Sequence, residues 1–125
     1  MSVNVYAQFY FGETKIYVRS QLQQLGHSVS EIPQHKGISA LVIIDKGREK
    51  MYMFNNRGIC EAFSFSPKDD DDLKAIIKYF DANLDKYPRQ YQWSIADKHR
   101  GRNCLMSLKE GVKGYSFIVV PLGNL

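Results

Sequence analysis

The chain has 125 residues, 44% of them hydrophobic and 24% charged, with a formal net charge of +4. That size and balance describe a single globular domain, 1–125, large enough to bury a core, and exclude a disordered or low-complexity chain. No stretch is long and apolar enough for a membrane-spanning helix, because the longest candidates are interrupted by Asp45 or Pro121.

The N-terminus lacks a basic region followed by an apolar run and a cleavage site, so an intracellular, cytoplasmic location is expected. Cys60 and Cys104 are too few for a disulfide framework and are expected to be reduced core thiols.

The opening VNVYAQFYF alternates. Val3, Val5, Ala7, Phe9 and Phe11 share one side, which predicts a strand with that side buried. A helix is expected over 14–25, with Thr14 as N-cap, Val18, Leu22 and Leu25 on one face, and Gly26 as the left-handed C-cap. HSVSEI follows as a short strand, then a polar loop carrying His35 and Lys36.

From Ile38 to Phe65, apolar runs of strand length are separated by short breaks at Gly47 and Gly58, the pattern of an antiparallel meander. Ile38, Ala40, Val42 and Ile44 face one way, and Leu41 and Ile43 the other. Apolar residues on both sides predict an interior strand covered on both faces. In the third strand, Ile59, Phe63 and Phe65 are placed together, opposite Cys60, Ala62 and Ser64. Asn55-Asn56-Arg57-Gly58 suits a tight turn.

The strongest helical pattern covers 69–87, where Leu73, Ile76, Ile77, Phe80, Leu84 and Tyr87 fall on one face. Ser66 is the expected cap, Pro67 the first helical residue, and Asp69 the close of the capping box. The acidic run Asp69 to Asp72 complements the helix dipole, and no metal site is read from it. In the final third QYQWSI, CLMSL and YSFIVV read as strands, ADKHRGRN as a basic loop, and KEGVKG as a turn. The class is therefore α+β: a mostly antiparallel sheet carrying the helices 14–25 and 69–87.

The positive charge is unevenly placed. From Pro88 onward there are six cations (Arg89, Lys98, Arg100, Arg102, Lys109, Lys113) and two acids (Asp97, Glu110), a net of four, equal to the excess of the whole chain. Lys98, His99, Arg100 and Arg102 are close in sequence to Trp93. Cations that meet phosphates beside an aromatic that stacks on bases are what nucleic-acid binding needs. The expected function is a small, non-enzymatic binding module contacting nucleic acid through Arg89, Trp93, Lys98, His99, Arg100, Arg102 and Lys113.

The alternative is a protein-interaction or regulatory accessory protein, of the short compact kind that viruses make, binding an acidic partner surface. A second alternative is a metal-independent nuclease using Asp97 and His99, whose i, i+2 spacing puts them on one side of an extended segment. KGYSFIVV, residues 113–120, partly resembles the strand signature of RNA-recognition motifs. Ser116 and Val120 depart from it, and the strand is last in the sequence where that family has it third of four. It is read as a buried strand after a glycine turn. His27 and His35 lack zinc-ligand spacing with the cysteines, and no phosphate-binding glycine loop is present, so no cofactor is expected.

Overall fold

The structure, a computed structural model, describes residues 8–97 and 102–123. They form an α+β domain of two helices and one eight-stranded antiparallel sheet, as the sequence pattern requires. Helix α1 spans Lys15–Gln24, followed by strands β1 Ser30–His35, β2 Ile38–Asp45, β3 Arg48–Phe54 and β4 Cys60–Phe65. Helix α2 spans Asp70–Asn83, followed by β5 Asp85–Lys86, β6 Gln92–Asp97, β7 Arg102–Gly111 and β8 Gly114–Pro121. The spatial order is β1-β2-β3-β4-β8-β7-β6-β5. Two four-stranded meanders therefore meet at β4 and β8, and α2 makes the connection between them.

Local chemistry explains most of the element ends. Thr14 caps α1 by accepting from the Tyr17 N–H at 3.3 Å. Beyond Leu25 the N–H groups of Gly26 and His27 turn back to the carbonyls of Gln23 and Leu22, a Schellman closure that needs left-handed Gly26 (φ 90°). The β1–β2 and β2–β3 hairpins each close on a Lys-Gly pair, 36–37 and 46–47, with positive φ at both residues. That is the turn whose twist matches the flanking strands. Asn55 Oδ1 accepts from the N–H groups of Arg57 and Ile59 and so fixes the β3–β4 turn.

Both helices lie on one face of the sheet. Phe80 of α2 packs on Phe65, Trp93 and Phe117, with ring centroids 6.5, 5.5 and 5.5 Å away. Val18 and Leu22 of α1 join the same core as Leu41, Ile43, Tyr52 and Phe54. Cys60 and Cys104 are free thiols within it, and burial pushes the Cys60 thiol up to about 12. On the opposite face Val42, Met51, Met53, Leu105, Ile118 and Val120 are half-buried, and among the described residues no helix lies over them. The two-sided apolar pattern thus reflects one covered face and one face where neighbouring strands shield each other.

Several boundaries differ from expectation. In the opening segment residues 1–7 lie outside the described residues, and 8–13 are not a strand. Phe9, Tyr10 and Phe11 are all buried in succession, because Tyr10 turns left-handed (φ 61°) and breaks the alternation. In β4 the pairing passes from Met53↔Ala62 to Phe54↔Cys60, which leaves Glu61 as an extra residue. A bulge reverses the faces beyond it, so Cys60 enters the core with Phe63 and Ile59 does not. Helix α2 is capped by Asp69, whose carboxylate accepts from the Asp72 N–H at 2.8 Å, not by Ser66. It ends before Leu84, an extended C-cap that leads directly into β5. KEG, expected as turn, continues β7.

Asp72 explains why the first turn of α2 sits where it does. Its carboxylate takes a forked contact from Arg48 of β3, Nη2 to Oδ1 at 2.7 Å and Nε to Oδ2 at 3.0 Å, and also accepts from the Lys68 N–H. Both side chains are largely buried, at 11% and 5% exposed. The Arg48 guanidinium holds the Asp72 carboxyl below the usual carboxylate range. A lowered folded-state pKa gives stability that is complete above about pH 4, the unfolded value, and is lost as pH falls through the folded value. Arg48→Met should cost about 3 kcal/mol at neutral pH, since it strands a buried carboxylate, and should flatten the loss of stability in acid. Urea unfolding of both forms across that pH range checks this, and coincident curves would contradict it.

Candidate functional site

The topology divides the cations that the sequence suggests as a cluster. Lys98, His99 and Arg100 lie outside the described residues. Arg102 opens β7, and Lys113 follows its last residue, Gly111. The nine residue steps between Arg102 and Gly111 span about 30 Å of extended strand. Arg89 belongs to the far end with Lys113. It precedes Tyr91, whose carbonyl accepts from the Leu108 N–H at 3.1 Å, and Gln92 pairs with Ser107. A single patch uniting Arg102 with Arg89 and Lys113 is therefore not formed.

Trp93 is not a surface platform either. It pairs with Met106 in the face beneath α2, is 0% exposed, and lies between Phe80 and Phe117. Its indole N–H donates to Asp81 Oδ1 at 3.0 Å, so the one polar atom of the ring is satisfied inside the fold. Alternation along 91–95 puts Tyr91, Trp93 and Ile95 on one side, and α2 covers that side from Trp93 onward. The Asp97 carboxylate of the nuclease alternative is also buried, at 1% exposed, at the pair Asp97↔Arg102. His99, the other half of that pair, lies outside the described residues.

Tyr91 follows Arg89 by two residues. This ring is 44% exposed, at the end of a loop where Tyr91 takes a left-handed backbone (φ 61°). Across from it the exposed side of α2 carries Lys74 and Lys78, one turn apart. Lys74, Ile77, Lys78, Asp81, Ala82 and Tyr91 line a groove of about 570 Å³. Neither lysine has an acidic partner among the described residues, and neither does Arg89.

Asp81 is the acid of the groove, and it is engaged on two sides. The Trp93 N–H first and then Lys86 Nζ, at 3.1 Å, hold its carboxyl below the usual range. Lysines at i and i+4 on an otherwise polar helix face were visible in the sequence. Their approach to Tyr91 depends on how α2 crosses β6, which no local pattern specifies.

At the same end of the sheet the β7–β8 ribbon outruns its neighbours. Strand β6 pairs with β7 only as far as Ser107, and β4 with β8 only over Phe117 to Val119. The tip beyond carries Lys109, Lys113 and a half-exposed Tyr115, with Val112 fully exposed. Comparison with protein-family models, with curated proteins and with solved structures gave no match for this chain.

The two aromatic neighbours should separate cleanly in stability measurements. Trp93→Ala should cost about 3–5 kcal/mol, as for a large core aromatic. Tyr91→Ala should cost under about 1 kcal/mol, as for a side chain near the surface. Equal losses in chemical denaturation would refute the placement of Trp93 inside and Tyr91 outside.

Proposed function

We propose that the protein is a small binding module for single-stranded nucleic acid, which it holds along the groove between α2 and Tyr91. The observation that carries this reading is the juxtaposition of Lys74 and Lys78, both without an acidic partner among the described residues, with an exposed tyrosine ring in one groove. Cations that follow a phosphate backbone and a ring on which a base stacks are the two parts of sequence-tolerant single-strand binding. Arg89, exposed and two residues from Tyr91, is a further cation for a strand that runs past that ring. The net positive charge of the chain favours approach of a polyanion.

Fluorescence anisotropy with labelled oligo-dT and oligo-U tests the reading. Replacing Lys74, Lys78 and Arg89 with Ala should weaken binding and lower the slope of log K against log salt by about 2, near 0.7 for each phosphate that is no longer neutralised. Tyr91→Ala should cost about 1–3 kcal/mol of affinity, the value of one stacked base. Failure of the unmodified protein to retain either oligonucleotide at low salt would rule the function out.

A second reading, a protein partner with an acidic surface, is favoured by the β7–β8 tip. There an exposed Val112 adjoins Lys113, with Lys109 nearby on β7. An apolar point with cations around it suits an apolar pocket with an acidic rim. Capture from nuclease-treated lysate that is lost on Val112→Asp supports this reading. Capture that disappears with nuclease treatment alone supports the first.

A further inference from the structure

We infer that the cleft between the C-terminal end of α1 and strands β2 and β3 is a binding site for a small carboxylate with an apolar body. It is separate from the α2 groove and stands on different residues. The cleft holds about 420 Å³, within the range of small-molecule sites. Leu22, Ile43 and Phe63 supply apolar wall, while Tyr10, Tyr52, His27, Asp45, Lys46 and Lys50 bring polar groups to it.

The hydroxyl of Tyr52 points to a ligand. Tyr52 is 4% exposed, and its hydroxyl makes no hydrogen bond among the described residues. Yet no fully buried side-chain oxygen or nitrogen among them lacks a partner. The hydroxyl must therefore open into the cleft that Tyr52 lines. Tyr10 meets it edge-on with ring centroids 5.8 Å apart. The Tyr10 hydroxyl also has no hydrogen-bond partner among the described residues. Two otherwise well-buried phenols thus present donors to one space that the protein itself does not use, and a ligand acceptor there can replace water.

Burial raises the pKa of both phenols, so at neutral pH they are neutral donors and do not act as bases. The charge at the mouth selects the ligand class. Lys50 Nζ lies 2.7 Å from Asp45 Oδ2, which balances that pair. Lys46 is exposed, has no acidic partner among the described residues, and acts electrostatically on Asp45 together with His27. One surplus cation and two neutral donors match a singly charged carboxylate. A phosphate dianion asks for more positive charge than this mouth supplies. The aliphatic and aromatic wall takes the rest of the molecule.

Phenylacetate, indole-3-acetate and hexanoate serve as probes, followed by ¹H–¹⁵N NMR of the full chain, with phenylacetamide as the uncharged control. At least one acid should give saturable shifts at His27, Asp45 and Tyr52, and phenylacetamide should bind more weakly. Tyr52→Phe keeps the ring and removes the donor, and it should weaken the acid about three- to tenfold. Tyr10→Phe gives an independent check should Tyr52→Phe change the melting temperature. Lys46→Ala should weaken the acids and leave phenylacetamide unchanged. No saturable shift with any of the three acids overturns the inference. So does equal binding of acid and amide, or affinity unaltered in both phenylalanine variants.

Discussion

The joint between β4 and β8 bears the greatest structural demand in this fold. Each meander is held internally by long runs of pairing, seven residue pairs between β2 and β3 and eight between β7 and β8. Only three pairs, Phe63↔Val119, Ser64↔Ile118 and Phe65↔Phe117, join one meander to the other. Three rungs of backbone hydrogen bonds are a weak seam by themselves.

The seam is closed by rings: Phe65 stacks on Phe117 with centroids 4.9 Å apart and planes 12° from parallel, and Phe80 of α2 meets both edge-on. Aromatic burial with this geometry adds to the area term and has a fixed orientation. Helix α2 therefore acts as more than the link in the chain between the halves, because its Phe80 is the wedge that holds them together.

That role sets where α2 lies, and its position in turn creates the groove. Its inner face, Ile76 and Phe80, is fully buried. Its first turn is tied to β3 through Asp72 and Arg48. With both ties in place the outer side of the helix is fixed too, and Lys74 and Lys78 come to face Tyr91. The groove is thus a consequence of closing the seam, and Lys74, Lys78 and Tyr91, which line it, are side chains the core does not bury. On the far side, α1 covers the first meander and leaves the tyrosine-lined cleft at its C-terminal end.

Much of the fold was legible in short-range pattern. Both helices, the hairpin turns and the strands from Ile38 to Phe65 follow from spacing and turn residues, because those signals are local. The failures have physical causes. Glu61 is an ordinary strand residue, and only its unpaired place opposite Met53 and Phe54 reveals the bulge that sends Cys60 inward. Leu84 and Tyr87 keep helical spacing past the end of α2, yet β5 pairs with β6, and that long-range ladder wins over local periodicity. The candidate site was less legible than the fold. Charge localisation drew attention to Arg89 and Lys113, which are exposed, but sequence proximity joined them to Arg102 and Trp93. The length of β7 and the cover of α2 separate them.

Asp81 is the residue where the core and the groove meet. An acid beside Lys74 and Lys78 lowers the positive charge of the groove. Its reason lies underneath: Trp93 is wholly buried, and a buried indole N–H must have an acceptor. Asp81 provides one from the rim of the groove, and Lys86 Nζ pairs with the same carboxylate oxygen at 3.1 Å. The pairing also links the groove to the core, because any ligand that draws Lys86 away or crowds Asp81 alters the surroundings of the chain's single tryptophan. The rim of the groove is thus joined to the centre of the aromatic cluster by one hydrogen bond, Trp93 Nε1 to Asp81 Oδ1.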